Sequence, residues 1–349
     1  MTSALMPFVR QFPAIARFVF PRLVQAGLTM VVAASLVFIA MRVIPGNPLL
    51  SRFGQHVDAQ EMAKLREKYG WNRPIHVQLR DFLGQLVSGN LGESVARPGQ
   101  KVSDELLRCI PATIELTLVA LLISLPLGIA AGVVAAVFRN RLPDRLCTFG
   151  ALVGVSIPIF FLGIWLRAAI PWLPVARRLP EYAFLTFEPL TGIYLLDTLL
   201  RFRFDLFPVV IQHLLLPAAV LSTIPTAIIA RITRSSMLEV LSSDFIRTAR
   251  AKGSGLLRIV LRHALPAAAV PITNIAALQV GLLLSGAVLT ETVFDWPGLG
   301  LYIKTAVVDD RDYAPAQAAA IVIAGVFVSL NLILDFVYLW LDPRIRTAK

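Results

Sequence analysis

Six long apolar runs constrain this chain more than any other feature of its sequence. They occupy residues 24–41, 112–138, 147–172, 209–230, 264–290 and 316–341, and each is 18 to 27 residues long. A helix needs about 20 apolar residues to cross the hydrocarbon core of a bilayer. Charged residues make up only 16% of the chain, and the mean hydropathy is +0.71. The sequence therefore predicts an all-α membrane protein with six transmembrane helices.

The first run predicts a retained span and not a cleaved signal peptide. It is long, and Arg42 and Pro45 follow it where a cleavage site would need small residues. We therefore assign residues 1–41 to an N-terminal segment with the first span, and residues 342–349 to a terminal tail.

The basic residues predict the orientation of the spans. With both termini inside, the inner segments hold 16 Lys and Arg in 72 residues, whereas the two short outer loops, 173–208 and 291–315, hold six in 61. Short loops rich in Lys and Arg stay on the cytoplasmic side. This distribution also explains the pI of about 10.2 without a nucleic-acid partner. Anionic membrane lipid is the partner that such inner segments imply.

Residues 42–105 predict a small helical segment on the outer face. Asp58 followed by Glu61 is typical of a helix start, and Gly70 is typical of the end of that helix. Pro74 then opens a second predicted helix, 75–87. Contact with an extracytoplasmic partner and a structural lid over the helix ends are both open interpretations.

The inner loop 231–263 carries seven basic residues and a predicted short helix, 245–252. Ser243 or Asp244 is typical of its start, and Gly253 is typical of its end. Such a helix between two spans can transmit force from a cytoplasmic partner. The residues alone favour a surface helix that meets anionic lipid, because basic inner loops are general in membrane proteins.

No enzyme motif occurs in the sequence. It has no HExxH, CxxC or GxxxxGK[ST] pattern, and its four histidines are scattered. The chain is therefore predicted to be a non-catalytic membrane subunit that binds no metal and no cofactor. Any ATP-driven work would need another subunit.

Few ionisable groups fall within the apolar runs. Glu115 is placed in the first turn of its span, where the helix dipole would favour it, and Asp335 follows Asn331 at a spacing that puts both on one helix face. Arg167 lies near the outer end of the third run. Bonds between helices are the favoured role for these groups over substrate contact.

The chain resembles the inner-membrane permease subunits of bacterial ABC importers for peptides and nickel. The motifs that carry this resemblance are RVIPGNP (42–48), LREKYGWNRPIHVQL (65–79), SGNLGESV (88–95), PATIELTL (111–118), SIPIFFLGIWL (156–166), ETVFDWPGLGLY (291–302), DYAPAQA (312–318) and LDPRIR (341–346). They occur in the order of the family and span nearly the whole chain.

The resemblance implies a role for the inner loop as the site where the ATPase docks. Gly253 matches the glycine of the family's Glu-Ala-Ala-x3-Gly pattern, and Ala249 matches the second alanine. Arg247 and Thr248 replace the Glu and the first alanine. The implied coupling residues are Asp244, Arg247, Thr248, Ala249, Arg250, Lys252 and Gly253.

The resemblance further implies the type I importer permease fold, with a transport domain at 106–341, in the bacterial cytoplasmic membrane. It implies three kinds of protein partner: a second homologous permease, two ATPases that hold ATP and magnesium, and an extracytoplasmic binding protein. Di- or oligopeptides are the expected substrate. Nickel chelates or glutathione are the alternative within the family, and a secondary transporter or channel is the alternative outside it.

Overall fold

The computed structural model describes residues 6–43, 64, 67, 70–97 and 99–341. Side chains are described within these ranges except at 6–18, 284–286, 330 and 334–341. The regular structure in this part of the chain is helical, and one isolated antiparallel bridge joins Glu93 to Lys101.

The described residues form twelve principal helices. They are α1 Met6–Val43, α2 Ile75–Val87, α3 Val102–Val137, α4 Leu142–Ser156, α5 Ile159–Ala169, α6 Glu181–Phe184, α7 Tyr194–Leu200, α8 Phe207–Leu241, α9 Asp244–Ala251, α10 Ala269–Val293, α11 Leu299–Lys304 and α12 Tyr313–Leu341. Three short pieces connect α9 to α10, and the middle one, Ile259–Ala264, is π-helical. A second π-helical turn, Thr305–Asp309, precedes α12.

Four stretches are long and apolar enough to cross a membrane as single helices. They are Val19–Val43, Val102–Val137, Phe207–Leu241 and Tyr313–Ile333. Two bent pairs raise the number to as many as six within the described residues, if each pair crosses as one span. The structure is thus all-helical with four to six candidate spans.

The bends fall in the predicted third and fifth runs, which do not form straight helices. The axes of α4 and α5 differ by 103°. Ile157 between them is extended, as a residue before proline prefers, and Pro158 has no N–H for the helical ladder. The second bend, of 62°, lies before α10, where Pro266 likewise has no N–H to donate.

The described chain divides into two compact units. The first comprises Met1–Leu106 with Tyr302–Lys349, and here α1 packs along α12 while α2 packs on α1. The start of α12 holds the segment before α3, because Asp312 accepts hydrogen bonds from the Ser94 hydroxyl at 2.8 Å and the Ala96 N–H at 2.9 Å. The predicted helix 75–87 is confirmed in this unit as α2.

The second unit, Leu107–Leu301, is organised around α8, which packs against α4, α5 and α10. Pro217 and Pro225 lie inside this continuous helix. Two glycines one turn apart on α3 permit a close approach to α8, because a Cβ at Gly128 would lie 2.8 Å from Ile229 and one at Gly132 would lie 2.5 Å from Thr233. Small residues at four-residue spacing are the usual means of bringing membrane helices together.

Some sequence predictions fall on residues outside the described ranges. The predicted helix 58–69 is described only at Lys64 and Glu67, which are both helical. The tail 342–349 is outside the described part. The division into functional domains at 41, 105 and 341 stays a prediction.

Candidate functional site

The predicted short helix of the inner loop is confirmed as α9, Asp244–Ala251, within one residue of the expected bounds at each end. Ser243 stands at its N-cap position with extended backbone angles. The Ser243 hydroxyl donates to the Val240 carbonyl of the preceding helix at 2.6 Å and does not cap α9. The position of the start is therefore as predicted, but the side-chain cap is not formed.

The end of α9 is a complete Schellman motif. Gly253 has a φ of +79°, its N–H donates to the Arg250 carbonyl at 2.9 Å, and the Ser254 N–H donates to the Ala249 carbonyl at 3.1 Å. These bonds satisfy carbonyls that the helix itself leaves unpaired. Glycine is favoured here because the left-handed conformation is strained for a residue with a Cβ.

One side chain attaches α9 to the rest of the second unit. Within Asp244–Ala251, which is described in full, only Ile246 is buried, and its exposed fraction is 0%. Ile246 packs in a cluster with Met237 of α8 and with Ile259 and Val260 of the π-helical turn. Ile246 is therefore the point at which α9 packs on the end of α8 and on the segment that leads into α10.

The remaining face of α9 is open and basic. Of the seven predicted coupling residues, Ala249 is half-buried, and six are exposed: Asp244, Arg247, Thr248, Arg250, Lys252 and Gly253. Arg247 forms an ion pair with Asp244 at 3.3 Å, but the two side chains are 76% and 94% exposed. Such a pair contributes little stability, so both charges are available to an incoming surface.

A buried carboxylate braces the helix that carries α9. Asp144, in the first turn of α4, accepts two bonds from the Arg234 guanidinium of α8, at 2.7 and 2.8 Å, and a third from the Asn140 N–H at 2.8 Å. Bidentate arginine–carboxylate pairs fix both distance and direction. The pair therefore holds α4 and the last turns of α8 as one body.

The prediction for Glu115 is wrong in its local setting. Pro111 does not interrupt α3, which begins at Val102, so Glu115 lies well inside the helix and away from its first turn. Its carboxylate is 1% exposed and accepts a hydrogen bond from Arg178, which is 5% exposed. Because both partners are buried, the attraction between them offsets the cost of removing their charges from water only while this geometry is kept.

Arg178 and Glu115 together fasten the loop before α7. The Arg178 guanidinium also donates to the Gly192 carbonyl at 2.7 Å, and Glu115 accepts the Leu195 N–H at 2.7 Å. The guanidinium carbon lies 3.5 Å from the centre of the Tyr194 ring. Burial raises the pKa of the Tyr194 phenol, although the positive charge of Arg178 opposes that shift.

A second buried carboxylate, Glu291, organises the turn after α10. It accepts the Thr113 hydroxyl at 2.6 Å, the Gly300 N–H at 2.6 Å and the Leu301 N–H at 3.1 Å. The Trp296 indole N–H donates to the Ala112 carbonyl at 2.9 Å. The motif ETVFDWPGLGLY thus has a structural basis: the carboxylate of Glu291 secures the turn that follows it.

The other polar residues of the apolar runs have separate settings. Arg167 of α5 donates to the Val293 carbonyl at the end of α10, as expected for bonding between helices. Asn331 and Asp335 both lie in α12, and Asn331 is half-buried. The side chain of Asp335 is outside the described part, so its role stays a prediction. The described residues contain no group of three or more His, Cys, Asp or Glu that could hold a metal.

The sequence identifies several of these charged residues but not the residues with which they form ion pairs. In the sequence Arg178 is one of the basic residues of the outer loop 173–208, and the structure pairs it with Glu115, 63 positions away. Asp144 and Arg234 are separated by 90 positions. No local pattern identifies such pairs. The sequence of α9 likewise offers two large apolar side chains, Phe245 and Ile246, and the structure shows that Ile246 is the buried one.

Comparisons with known proteins cover both parts of the chain. The family model described as "Binding-protein-dependent transport system inner membrane component" matches residues 128–347. A companion model for the N-terminal part of the same membrane components matches residues 15–117. Together they span nearly the whole sequence.

Curated relatives are similar over almost their entire length. The dipeptide transport system permease protein DppB of Alkalihalophilus pseudofirmus is 43% identical over 93% of this chain and 96% of its own. The di/tripeptide permease DppB of Pseudomonas aeruginosa is 43% identical over 90% and 94%. The glutathione permease GsiC of Salmonella typhimurium is 34% identical over 94% and 98%.

The helical structure, its apolar candidate spans and these matches agree. The chain is a transport permease and a multi-pass protein of the cytoplasmic membrane. It belongs to the family of inner membrane components of binding-protein-dependent transport systems.

Proposed function

We propose that this chain forms half of the translocation pathway of an ATP-driven importer for di- or oligopeptides. The relatives at 43% identity are named for dipeptides and di/tripeptides, and the glutathione relative is less similar, at 34%. These identities favour peptides over glutathione. In such systems an extracytoplasmic binding protein delivers the substrate.

The observation that carries the transport mechanism is the geometry of α9. Its basic face is exposed, whereas its one buried side chain, Ile246, reaches the ends of α8 and the π-helical turn. We infer that α9 docks on a cytoplasmic ATPase and passes the movement of that ATPase to the spans. Ile246 is the side chain that attaches the proposed coupling residues to the unit, and these are the seven predicted ones: Asp244, Arg247, Thr248, Ala249, Arg250, Lys252 and Gly253.

The proposed complex contains a second homologous permease and two ATPases, which bind ATP and magnesium. This chain is then a non-catalytic subunit with six spans, in which α4–α5 and the stretch into α10 each cross as a broken helix. Both termini face the cytoplasm, which places α9 on the ATPase side. The ATPases bind nucleotide with different affinity in the inward-open and outward-open states of the complex. Nucleotide binding therefore shifts the equilibrium between these two states.

Reconstitution tests this proposal. The chain is co-expressed with a homologous permease and ATPases, purified in mild detergent and placed in liposomes with a binding protein. We expect ATP hydrolysis stimulated by dipeptide-loaded binding protein, together with dipeptide uptake. Uptake of glutathione or a nickel chelate in place of dipeptides would contradict the proposed substrate. Transport driven by an ion gradient without ATPases would contradict the importer itself.

Substitution of Gly253 separates backbone conformation from side-chain size at the proposed coupling site. A Cβ at Gly253 meets no atom within 4 Å, so a substitution there acts mainly through the positive φ. We expect Gly253→Val to strain the end of α9 by about 1–2 kcal/mol and to reduce the stimulation of ATP hydrolysis by loaded binding protein. The stimulated and basal rates in the reconstituted complex give the measurement.

Gly253→Asn is the matched control, because asparagine enters the left-handed region more easily than valine. We expect the asparagine variant to retain most of the stimulation. Equal loss in both variants would show that the strained conformation is not the cause. Full stimulation in both would remove the end of α9 from the coupling mechanism.

A further inference from the structure

A cavity of about 370 Å³ lies within the first compact unit. It is lined by residues of α1, α2 and the start of α12 and by the segments that flank α2. Four aromatic side chains contribute to its walls: Phe38, Trp71, Phe82 and Tyr313. Exposed residues, among them Arg73 and Glu93, also line it, so the cavity reaches the surface of the unit. Its volume lies in the range of small-molecule sites, about 300–1,000 Å³.

Three buried polar atoms in this lining have no hydrogen-bond partner among the described residues. They are the donors Arg42 Nε and Gln317 Nε2 and the acceptor Gln78 Oε1. Gln317 is only 7% exposed. The orientation of Gln78 is fixed, because its amide nitrogen donates to the Arg73 carbonyl at 2.7 Å and the Trp71 carbonyl at 3.3 Å. A buried polar group without a partner is costly, and three around one cavity point to a ligand that pairs with them.

The guanidinium of Arg42 is held by rings. Its central carbon lies 5.0 Å from the centre of the Phe38 ring and 5.8 Å from the centres of the Trp71 and Tyr313 rings. Cation–π contacts of this kind stabilise the charge without using the N–H groups. The Nε–H therefore stays available, and the same rings form an apolar wall beside it.

The charges around the cavity argue against a simple anion. Two arginines, Arg42 and Arg73, face four carboxylates in the lining: Glu67, Asp81, Glu93 and Asp312. Asp81 pairs with Arg73 at 3.1 Å. The formal excess is negative, so a ligand with net negative charge would be repelled, whereas a zwitterionic peptide has no net charge. A ligand with one carbonyl acceptor, one N–H donor and an apolar side chain fits the unpaired atoms and the walls.

We propose that this cavity of the first unit is a second binding site for a short peptide, in addition to the proposed translocation pathway. A peptide carbonyl accepts from Arg42 Nε and Gln317 Nε2, a peptide N–H donates to Gln78 Oε1, and one side chain lies against the aromatic wall. The choice of a peptide among amide-bearing molecules rests on the proposed function. The site itself rests on the unpaired atoms.

Photo-crosslinking on the complete importer complex without binding protein tests the site. The probe is the dipeptide alanyl-p-benzoylphenylalanine, and the cross-linked residues are mapped by mass spectrometry. We expect cross-links within 71–95 or 312–321 that excess alanyl-phenylalanine suppresses. The alcohol 3-phenylpropanol, which offers the same ring without an amide, is expected not to compete.

Two variants and one control test whether the unpaired atoms of the cavity bind the probe. Gln317→Leu removes one donor, and Arg42→Lys keeps the charge but removes the Nε–H. Each is expected to weaken probe binding about five- to tenfold. Gln25→Leu, the same kind of change at an exposed position of α1, is expected to leave it unchanged.

Several results would overturn the second site. They are cross-links only within 107–301, equal competition by 3-phenylpropanol, and unchanged binding in both variants. ATP-driven dipeptide uptake is measured on the same preparations. Uptake without these cross-links would reject the cavity as a peptide site and leave the proposed transport function intact. Cross-links at these residues without uptake would support the cavity as a peptide site and contradict the proposed transport function.

Discussion

Replacing Glu115 with alanine is expected to destabilise the second unit by about 3–5 kcal/mol. The change leaves the Arg178 guanidinium, which is 5% exposed, without its carboxylate. It also removes the acceptor of the Leu195 N–H. An isolated buried charge is far more costly than the net contribution of the pair. The measurement is the midpoint of thermal unfolding of the detergent-purified complex, which should fall strongly.

The double variant Glu115→Leu with Arg178→Met separates the two effects. It removes both charges and keeps side chains of similar length, so much of the lost stability should return. If the double variant is less stable than Glu115→Ala by a further large step, the pair itself is the main source of stability. If Glu115→Ala has little effect, the carboxylate is not the partner on which Arg178 depends.

Gly298→Ala is expected to cause a loss of similar size for a steric reason. A Cβ at Gly298 would lie 2.2 Å from Glu291 Oε1 and 2.5 Å from Thr113 Oγ1. These two atoms are hydrogen-bonded to each other, so neither can move away without breaking the bonds that secure the turn. We expect destabilisation above about 3 kcal/mol from overpacking and from lost buried hydrogen bonds. Thermal unfolding and the yield of assembled complex measure it.

Gly150→Ala is the control for this substitution. Gly150 lies in α4 in the same unit, and a Cβ there meets no atom within 4 Å. Alanine favours the helical conformation over glycine by about 1 kcal/mol, so stability should stay equal or rise slightly. Equal melting of Gly298→Ala and the original protein would show that the turn after α10 tolerates a wider spacing.

The apolar runs predicted the long helices well because a bilayer imposes one length and one composition on each span. Local patterns were also sufficient for α2 and α9, where Pro74 and Gly253 mark a start and an end. The bend between α4 and α5 was not predicted, because a proline inside an apolar run does not always break the helix. The run that contains Pro158 is bent, whereas α8 stays continuous across its two prolines. Packing against neighbouring helices decides between these outcomes.

The short helix of the candidate site was predictable from the sequence, and its packing partners were not. The basic face of α9 follows from helical periodicity, but the burial of Ile246 depends on Met237 and Ile259 in other elements. The setting of Glu115 was misjudged for the same reason. Its environment is set by Arg178, and the position of Arg178 depends on the fold of the whole loop.

The attachment of α9 through Ile246 divides its residues into two classes under different physical constraints. Ile246 and Gly253 are tied to the internal geometry of the second unit. The exposed side chains at 244, 247, 248, 250 and 252 do not take part in this internal packing. Under the proposed docking role of α9, exchanging surface residues of this one short helix would change which ATPase is accepted, while the membrane domain folds as before. Compatibility with an ATPase would then change independently of the buried packing that holds the second unit together.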